Sequence, residues 1–300
     1  MTINPEPLCP VCGDRRARVK YASRSEAPLD ARMTTDRYGA FGRIVRCLNC
    51  GVEYRHPRPS DEEVRRSYSE MRDDDYLRES DSRHINAHLS LRAIKRCVSE
   101  GSLLDVGCST GFLLDAARPD FQVRGIELSA WAAEQARKKL GLTVDAVGWE
   151  KAAFPPASFD VVCFVDVLEH LADPAGALNW ASGLLRPGGI LYLVTPDAGS
   201  LSARLMGRFW WGYRPAHLVY FSRRTLSELV ERSGLRVEKT RSYGRLFPYG
   251  YWLSRLQDYP TPIRALARAA VALLGGPDKV AYINTRDSIE ICARKPAQLK

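Results

Sequence analysis

The stretch Leu103-Leu104-Asp105-Val106-Gly107-Cys108-Ser109-Thr110-Gly111 constrains this chain more than any other. An apolar run enters an acidic residue, passes through a turn of small residues and opens onto Phe112-Leu113-Leu114. Twenty-two residues after Asp105, a second apolar run over residues 123–126 ends at Glu127. This order predicts a βαβ unit, and open α/β sheets bind ligands at the carboxyl ends of their strands. Glycine lets the backbone approach a ligand closely, and a carboxylate at the end of the next strand can hold two ribose hydroxyls. A nucleoside site is therefore expected, with Asp105, Gly107, Cys108, Ser109, Gly111, Glu127 and Leu128 around it.

A dinucleotide fingerprint needs Gly-x-Gly-x-x-Gly, but its positions here hold Gly107, Ser109 and Phe112. No Gly-Lys-Ser/Thr phosphate loop is present either. Asp105 followed by Gly107, Ser109 and Gly111 resembles motif I of the class I S-adenosylmethionine (SAM) methyltransferases, an acidic residue before Gly-x-Gly-x-Gly. Ser109 stands where the family has its middle glycine. Further along, Phe159-Asp160-Val161-Val162-Cys163-Phe164-Val165 reads as a buried strand. Asp166-Val167-Leu168-Glu169-His170 follows, then a helix capped by Asp173 with Pro174 at its first position. That helix ends at Arg186-Pro187-Gly188-Gly189, and a strand is expected over residues 190–195. This order resembles the family's fourth strand, fourth helix and fifth strand, and the resemblance covers about residues 101–240. It implies an α/β fold: a Rossmann-like, seven-stranded, mostly parallel sheet with helices on both faces. Relatives usually place an acidic turn near the adenine after the third strand, expected here over residues 143–147. This chain has Gly148-Trp149-Glu150 instead, and Trp149 either covers the adenine or packs on the surface.

Four of the eight cysteines form two knuckles, Cys9-Pro10-Val11-Cys12-Gly13 and Cys47-Leu48-Asn49-Cys50-Gly51. Two Cys-x-x-Cys pairs can complete a tetrahedral four-thiolate zinc site, and such a closed site is structural rather than catalytic. Residues 1–58 are expected to be a zinc ribbon with residues 14–46 looped out between the knuckles. Cys97, Cys108, Cys163 and Cys292 are scattered and read as small core or turn residues.

Residues 59–100 read as a helical linker over the cofactor site, opened by the capping box Ser60-Asp61-Glu62-Glu63. In relatives such a segment lies over the SAM pocket, which makes Tyr76, Arg83 and His88 candidates for the methionine carboxylate. Residues 101–300 would be the methyltransferase domain, with an acceptor lid at 196–223 and an insertion at 244–283. A helix over 222–233 stops at Gly234, residues 235–238 alternate as a strand, and 287–293 suit a closing antiparallel strand. The insertion carries an amphipathic stretch with Ile263, Leu266, Ala270, Val271 and Leu274 apart from Arg264 and Arg268. It can pack over the cleft, against a second subunit in a homodimer, or on a membrane surface.

The chain has net charge +9, unevenly spread. Basic residues outnumber acidic ones 11 to 6 in 1–60 and 18 to 7 in 201–300, while acidic residues lead 22 to 15 in 61–200. Basic flanks around an acidic core either serve solubility or meet an anionic partner, RNA included. There is no run of about 18 apolar residues, so no transmembrane segment is expected. Residues 1–10 lack a secretory pattern, and a cytoplasmic location is expected.

Methyl transfer from SAM needs an acceptor held in line and water excluded, and an oxygen or nitrogen acceptor can also need a proton removed. His170, just past the fourth strand, and His217, in the aromatic lid, are the base candidates. Asp166 borders both cofactor and acceptor. Quinone-biosynthesis O-methyltransferases carry a similar acidic-x-x-Glu-His stretch that can hold a divalent cation, so Asp166, Glu169 and His170 are candidate ligands, though Glu-His after the fourth strand is also common in metal-free relatives. The ribbon and the aromatic lid together resemble methyltransferases of sugar, polysaccharide and natural-product pathways. The expected activity is methylation of a small-molecule or glycan-linked acceptor, at oxygen first and at carbon or nitrogen next. Two alternatives stand beside it: an RNA methyltransferase whose ribbon grips phosphates, and a SAM-binding scaffold without turnover.

Overall fold

The structure, a computed structural model, describes residues 8–24, 41–69, 79–257 and 259–297. Tyr76 and the acidic tip Asp73-Asp74-Asp75 lie outside the described residues. The chain begins with β1 (Ala17–Tyr21), β2 (Ile44–Cys47) and β3 (Glu53–Arg55), followed by helices α1 (Asp61–Ser69) and α2 (Ser80–Lys95). The alternating core runs β4 (Gly101–Val106), α3 (Phe112–Ala117), β5 (Phe121–Ile126), α4 (Ala130–Leu140), β6 (Val144–Asp145), β7 (Phe159–Val165), α5 (Pro174–Leu184) and β8 (Leu185–Pro196). Then come α6 (Leu201–Met206), β9 (Val219–Tyr220), α7 (Arg223–Arg232), β10 (Arg236–Ser242), β11 (Arg245–Pro248), α8 (Tyr249–Ser254), α9 (Thr261–Leu273), β12 (Val280–Ile283) and β13 (Ser288–Arg294).

Seven strands form the main sheet in the order β10-β13-β8-β7-β4-β5-β6, and only β13 runs against its neighbours. This is the Rossmann-like sheet that the sequence predicts. Its central strands read as continuous apolar runs because helices cover both faces. Leu103, Leu104, Val161, Val162, Phe164, Leu191 and Leu193 have no measurable exposure. Each such side chain contributes roughly 1.5–3 kcal/mol on burial. Local signals set the helix ends. The Ser129 hydroxyl accepts from Ala132 N at the start of α4, and left-handed Gly141 ends it. Asp173 caps α5 through Gly176 N, as its position before Pro174 predicts. Ser222 and Thr225 cap α7 reciprocally.

Several boundaries differ from expectation. The third strand is only Val144–Asp145 rather than 143–147. The Arg186-Pro187-Gly188-Gly189 stretch belongs to β8 itself, so the fifth strand begins at Leu185 and not at 190. Gly188 and Lys295 backbones bond there, and Lys295 N returns a bond to Gly189 O, which extends the pairing past the turn. Part of the segment expected to loop out between the knuckles is paired: β1 lies antiparallel to β2. The ribbon sheet takes its fourth strand from β9, in the segment read as the acceptor lid, so the order is β1-β2-β3-β9. The 244–283 segment folds as the β11–β12 pair with α8 and α9 between them. No helix among the described residues is long and apolar enough to cross a membrane.

Candidate active site

The strand order reverses at β4, whose neighbours are β5 and β7, and a cavity of about 610 Å³ opens there. Its floor is the turn after β4. Gly107 N and Cys108 N both donate to Ile126 O, at 2.8 and 3.1 Å, which folds the turn onto β5. Gly107, Ser109 and Gly111 all take left-handed backbone, with φ of +69°, +48° and +89°. That conformation explains why glycine suits the position of Ser109, where a side chain costs about 1–2 kcal/mol. Gly111 has a different role from the one expected: it does not line the cavity. A Cβ on it would lie 2.4 Å from Leu142 Cδ1, so its place is tight packing under the turn.

Asp105, Gly107, Cys108, Ser109, Glu127, Leu128 and Trp149 all line this cavity. Glu127 braces it: one carboxylate oxygen accepts from Ser109 N at 2.9 Å, the other from Ser129 N at 2.7 Å. Burial raises the Glu127 carboxyl, with backbone N–H groups pulling the other way. Burial, and then the charge of Glu127, pushes Asp105 up to about 8. Trp149 stands on a short 3-10 turn with its ring 6.1 Å from that of Trp180. Of the linker candidates, Arg83 lines the cavity and pairs with Glu79 at 2.5 Å, whereas His88 is exposed and does not.

Asp166, Glu169, His170 and His217 line the other end of the same cavity. Asp166 has a φ of +56°, and both its oxygens accept from Arg245 at 2.7 Å. Glu169 is buried, accepts from Thr195 Oγ1 at 2.9 Å and is pushed up to about 8 by burial and by Asp166. The two imidazole rings meet edge to face with centroids 4.7 Å apart. His217 Nδ1 lies 2.8 Å from Gly212 O, a carbonyl that only accepts, so Nδ1 carries the proton. His170 Nδ1 lies 3.0 Å from Ala216 O and 2.6 Å from the Tyr68 hydroxyl. Both contacts are met together when His170 also carries its proton on Nδ1. Each ring then keeps an unprotonated Nε2. Burial, with Arg214 second, lowers His170 to about 4, and His217 is lowered by burial and by His170.

The segment read as an acceptor lid is fixed from beneath. Trp210 Nε1 and Trp211 Nε1 both donate to Asp287 Oδ2, at 3.1 and 2.5 Å. Leu218 N donates to Glu169 O at 2.8 Å and so ties the lid to the turn after β7. Sequence reasoning missed Tyr68 and Arg245. Tyr68 ends a polar helix, and Arg245 lies 79 residues from Asp166, so neither carries a local signal.

Among the described residues, two groups have metal-binding donors. Glu169, His170 and His217 bring their ligand atoms within 4.8 Å of one another, and Asp166 is instead taken up by Arg245. Cys9, Cys12, Cys47 and Cys50 do the same at the ribbon. Cys9 and Cys50 sulfurs lie 3.6 Å apart, as do those of Cys12 and Cys47. Zinc–sulfur bonds of ~2.3 Å in a tetrahedron put sulfurs ~3.8 Å apart, so this cage fits a zinc ion. The Cys50 sulfur and burial push the Cys9 thiol up, burial pushes Cys47 up, and the Cys9 sulfur pulls Cys50 down to about 5, with backbone N–H groups at all three pulling toward the thiolate that a metal requires.

A family described as a methyltransferase domain matches residues 77–240, more than half of the chain. The chain belongs to the SAM-dependent methyltransferases. It is 34% identical over 166 residues to a ubiquinone biosynthesis O-methyltransferase from Xanthomonas euvesicatoria, covering 48% of this chain and 70% of that protein. To the protein of the same name from Xylella fastidiosa it is 31% identical over 172 residues, covering 50% and 70%. Two solved chains share the fold. One, from Bacillus halodurans and provisionally named a methyltransferase, has TM-score 0.50 at 17% identity over 70% of this chain and 99% of that one. The other, in a Haloferax volcanii complex of the Trm112 methyltransferase activator with a provisionally named methyltransferase, has TM-score 0.53 at 18% identity over 74% and 95%. As a methyltransferase the protein is an enzyme, which sets aside a scaffold without turnover. The carboxyl groups of Asp105 and Glu127 line its cavity at the ends of β4 and β5.

Proposed function

We propose that this methyltransferase methylates a small-molecule or glycan-linked acceptor, at oxygen in preference to carbon or nitrogen. Asp105, Gly107, Cys108, Ser109, Glu127, Leu128 and Trp149 would hold SAM, with Gly111 shaping the turn from below. When bound, SAM supplies a methyl group on a sulfonium, already activated for displacement. The chain's own residues then position the acceptor, exclude water and take its proton. The observation that carries the reading is the continuity of one cavity from the Glu127 end to the His170, His217 and Asp166 end. His170 is the preferred base: its Nε2 keeps a lone pair at every working pH, because burial holds the ring neutral down to about 4. Asp166, held by Arg245, would border the methyl group as an orienting carboxylate rather than as a base.

The naming of relatives as ubiquinone biosynthesis O-methyltransferases supports a small-molecule oxygen acceptor. The aromatic wall made by Trp211, Phe247, Tyr251, Trp252 and Tyr259 suits a flat ring or a sugar face. A divalent cation, if one is used, would sit on Glu169, His170 and His217 rather than on Asp166. The ribbon cysteines would hold structural zinc.

One observation favours RNA as an alternative acceptor: Arg18, Arg46 and Arg224 surround a shallow hollow beside the Cys47 knuckle. The two readings separate in one experiment. Radiolabelled methyl from SAM is offered to purified total RNA and, separately, to a small-molecule and glycan extract of the source cells. Label in the extract supports the proposal, and label in RNA alone overturns it.

A further inference from the structure

Cys97 and Cys292 lie 195 residues apart and carry no motif. The fold brings them together. Cys97 follows the C-terminal end of α2, and Cys292 lies in β13, inside the main sheet. Their sulfurs are 2.7 Å apart. Within the same protein the ribbon sulfurs keep 3.6 Å, the spacing suited to a shared metal. A sulfur pair at 2.7 Å leaves no room for an ion between its members, and a small approach brings it to the ~2.05 Å of a covalent bond. We propose that Cys97 and Cys292 form a disulfide on oxidation, a modification site apart from both the active site and the ribbon.

Exposure assigns the order of events. Cys97 is half-buried and Cys292 is buried, so a small peroxide reaches Cys97 first. The Cys97 thiolate attacks one peroxide oxygen: an S–O bond forms, the O–O bond breaks, and the leaving oxygen takes a proton to become water. The Cys292 sulfur then attacks the Cys97 sulfur. The S–S bond forms, the S–O bond breaks, and hydroxide leaves with the Cys292 proton as a second water. Two thiols are oxidised by two electrons and one peroxide is reduced to two waters. Burial and the Cys97 sulfur push the Cys292 thiol up, and the neighbouring Arg294, whose guanidinium lies 3.4 Å from Cys97 O, pulls it the other way.

The bond would tether the helix that walls the cavity. Arg83, Asn86, Ala87 and Ser90 of α2 line it, and Asn86 exchanges two hydrogen bonds with the Leu246 backbone, at 2.9 and 2.8 Å. A disulfide at Cys97 adds a covalent link from the far end of the same helix to β13.

The test uses the full-length, zinc-loaded chain. It is treated with hydrogen peroxide, denatured, alkylated and digested with trypsin plus a protease that cuts after glutamate, which separates Cys97 from Cys108 at Glu100. The expected result is a cross-linked Cys97–Cys292 peptide that dithiothreitol releases. Cys97→Ser should lack it and leave Cys292 open to alkylation, and Cys292→Ala should mirror that result. Oxidised wild type should unfold at a higher temperature than reduced wild type, with no such difference in either variant. Full alkylation of both sulfurs after peroxide, over-oxidation of Cys97 without a cross-link, or pairing of Cys97 with another cysteine would each overturn the proposal. Equal unfolding temperatures of the two forms would overturn the tether.

Discussion

Replacing Glu127 with alanine tests the cofactor assignment most directly. The side chain is 7% exposed, and its carboxylate already accepts from Ser109 N and Ser129 N. Those two bonds use one lone pair on each oxygen and leave the others free, in the proposed assignment for the ribose hydroxyls of SAM. A hydrogen bond to a charged group is worth roughly 1.5–3 kcal/mol, so losing two removes about 3–6 kcal/mol of SAM binding. That is a roughly 10²–10⁴-fold rise in Kd. Glu127→Gln keeps the shape and one acceptor without the charge, and should weaken binding by about tenfold. A second readout follows from charge. Glu127 helps push Asp105 up to about 8, so its removal lowers the Asp105 carboxyl. The pH at which SAM affinity levels off should therefore fall in both variants. Isothermal titration calorimetry across pH 6–9 measures both effects, and circular dichroism confirms folding. An alanine variant that is folded and binds SAM within about threefold of wild type would refute the assignment.

Three further expectations follow. Stripping zinc with a chelator should release one ion per chain, read by atomic absorption, and raise the acceptor KM more than the SAM Kd, because the ribbon strand β3 carries the lid strand β9. Tyr68→Phe should lower kcat by about tenfold with SAM affinity unchanged in single-turnover and calorimetric assays, since the hydroxyl shares the His170 Nδ1 proton and orients the ring. Unchanged kcat would remove Tyr68 from the reading. His170 is neutral when folded down to about 4 but takes a proton near 6.5 when unfolded, so its share of stability is complete above 6.5 and fades as pH falls toward 4. By pH 5 roughly 2 kcal/mol of that share is lost. Asp105, raised from 3.8 to about 8, has the opposite slope: its contribution is complete below 3.8 and is lost as pH rises toward 8. Urea unfolding of wild type minus His170→Gln isolates the histidine, and a difference that stays flat between pH 5 and 8 would contradict it.

The βαβ unit, the turn with its acidic residues and the two cysteine knuckles are legible in the sequence because each rests on short-range chemistry. An apolar run, a tight turn and a capped helix are specified by neighbouring residues, and a Cys-x-x-Cys pair converges within one turn of backbone. Asp105, Ser109 and Glu127 meet at the ends of two adjacent parallel strands, where the βαβ order alone brings them. Other features depend on which surfaces pack. The Arg245–Asp166 pair, the Tyr68–His170 bond and the Cys97–Cys292 approach span 79, 102 and 195 residues. The pairing of β3 with β9 joins the ribbon to the lid across a similar distance. No periodicity records such encounters, since each partner alone reads as an ordinary polar or small residue. Strand order and the packing of α1, α2 and the lid against the sheet bring them within bonding distance. The place of the SAM-type turn is thus written in local sequence. The groups that gather at the other end of the cavity, and the charge states they hold there, are set by tertiary burial.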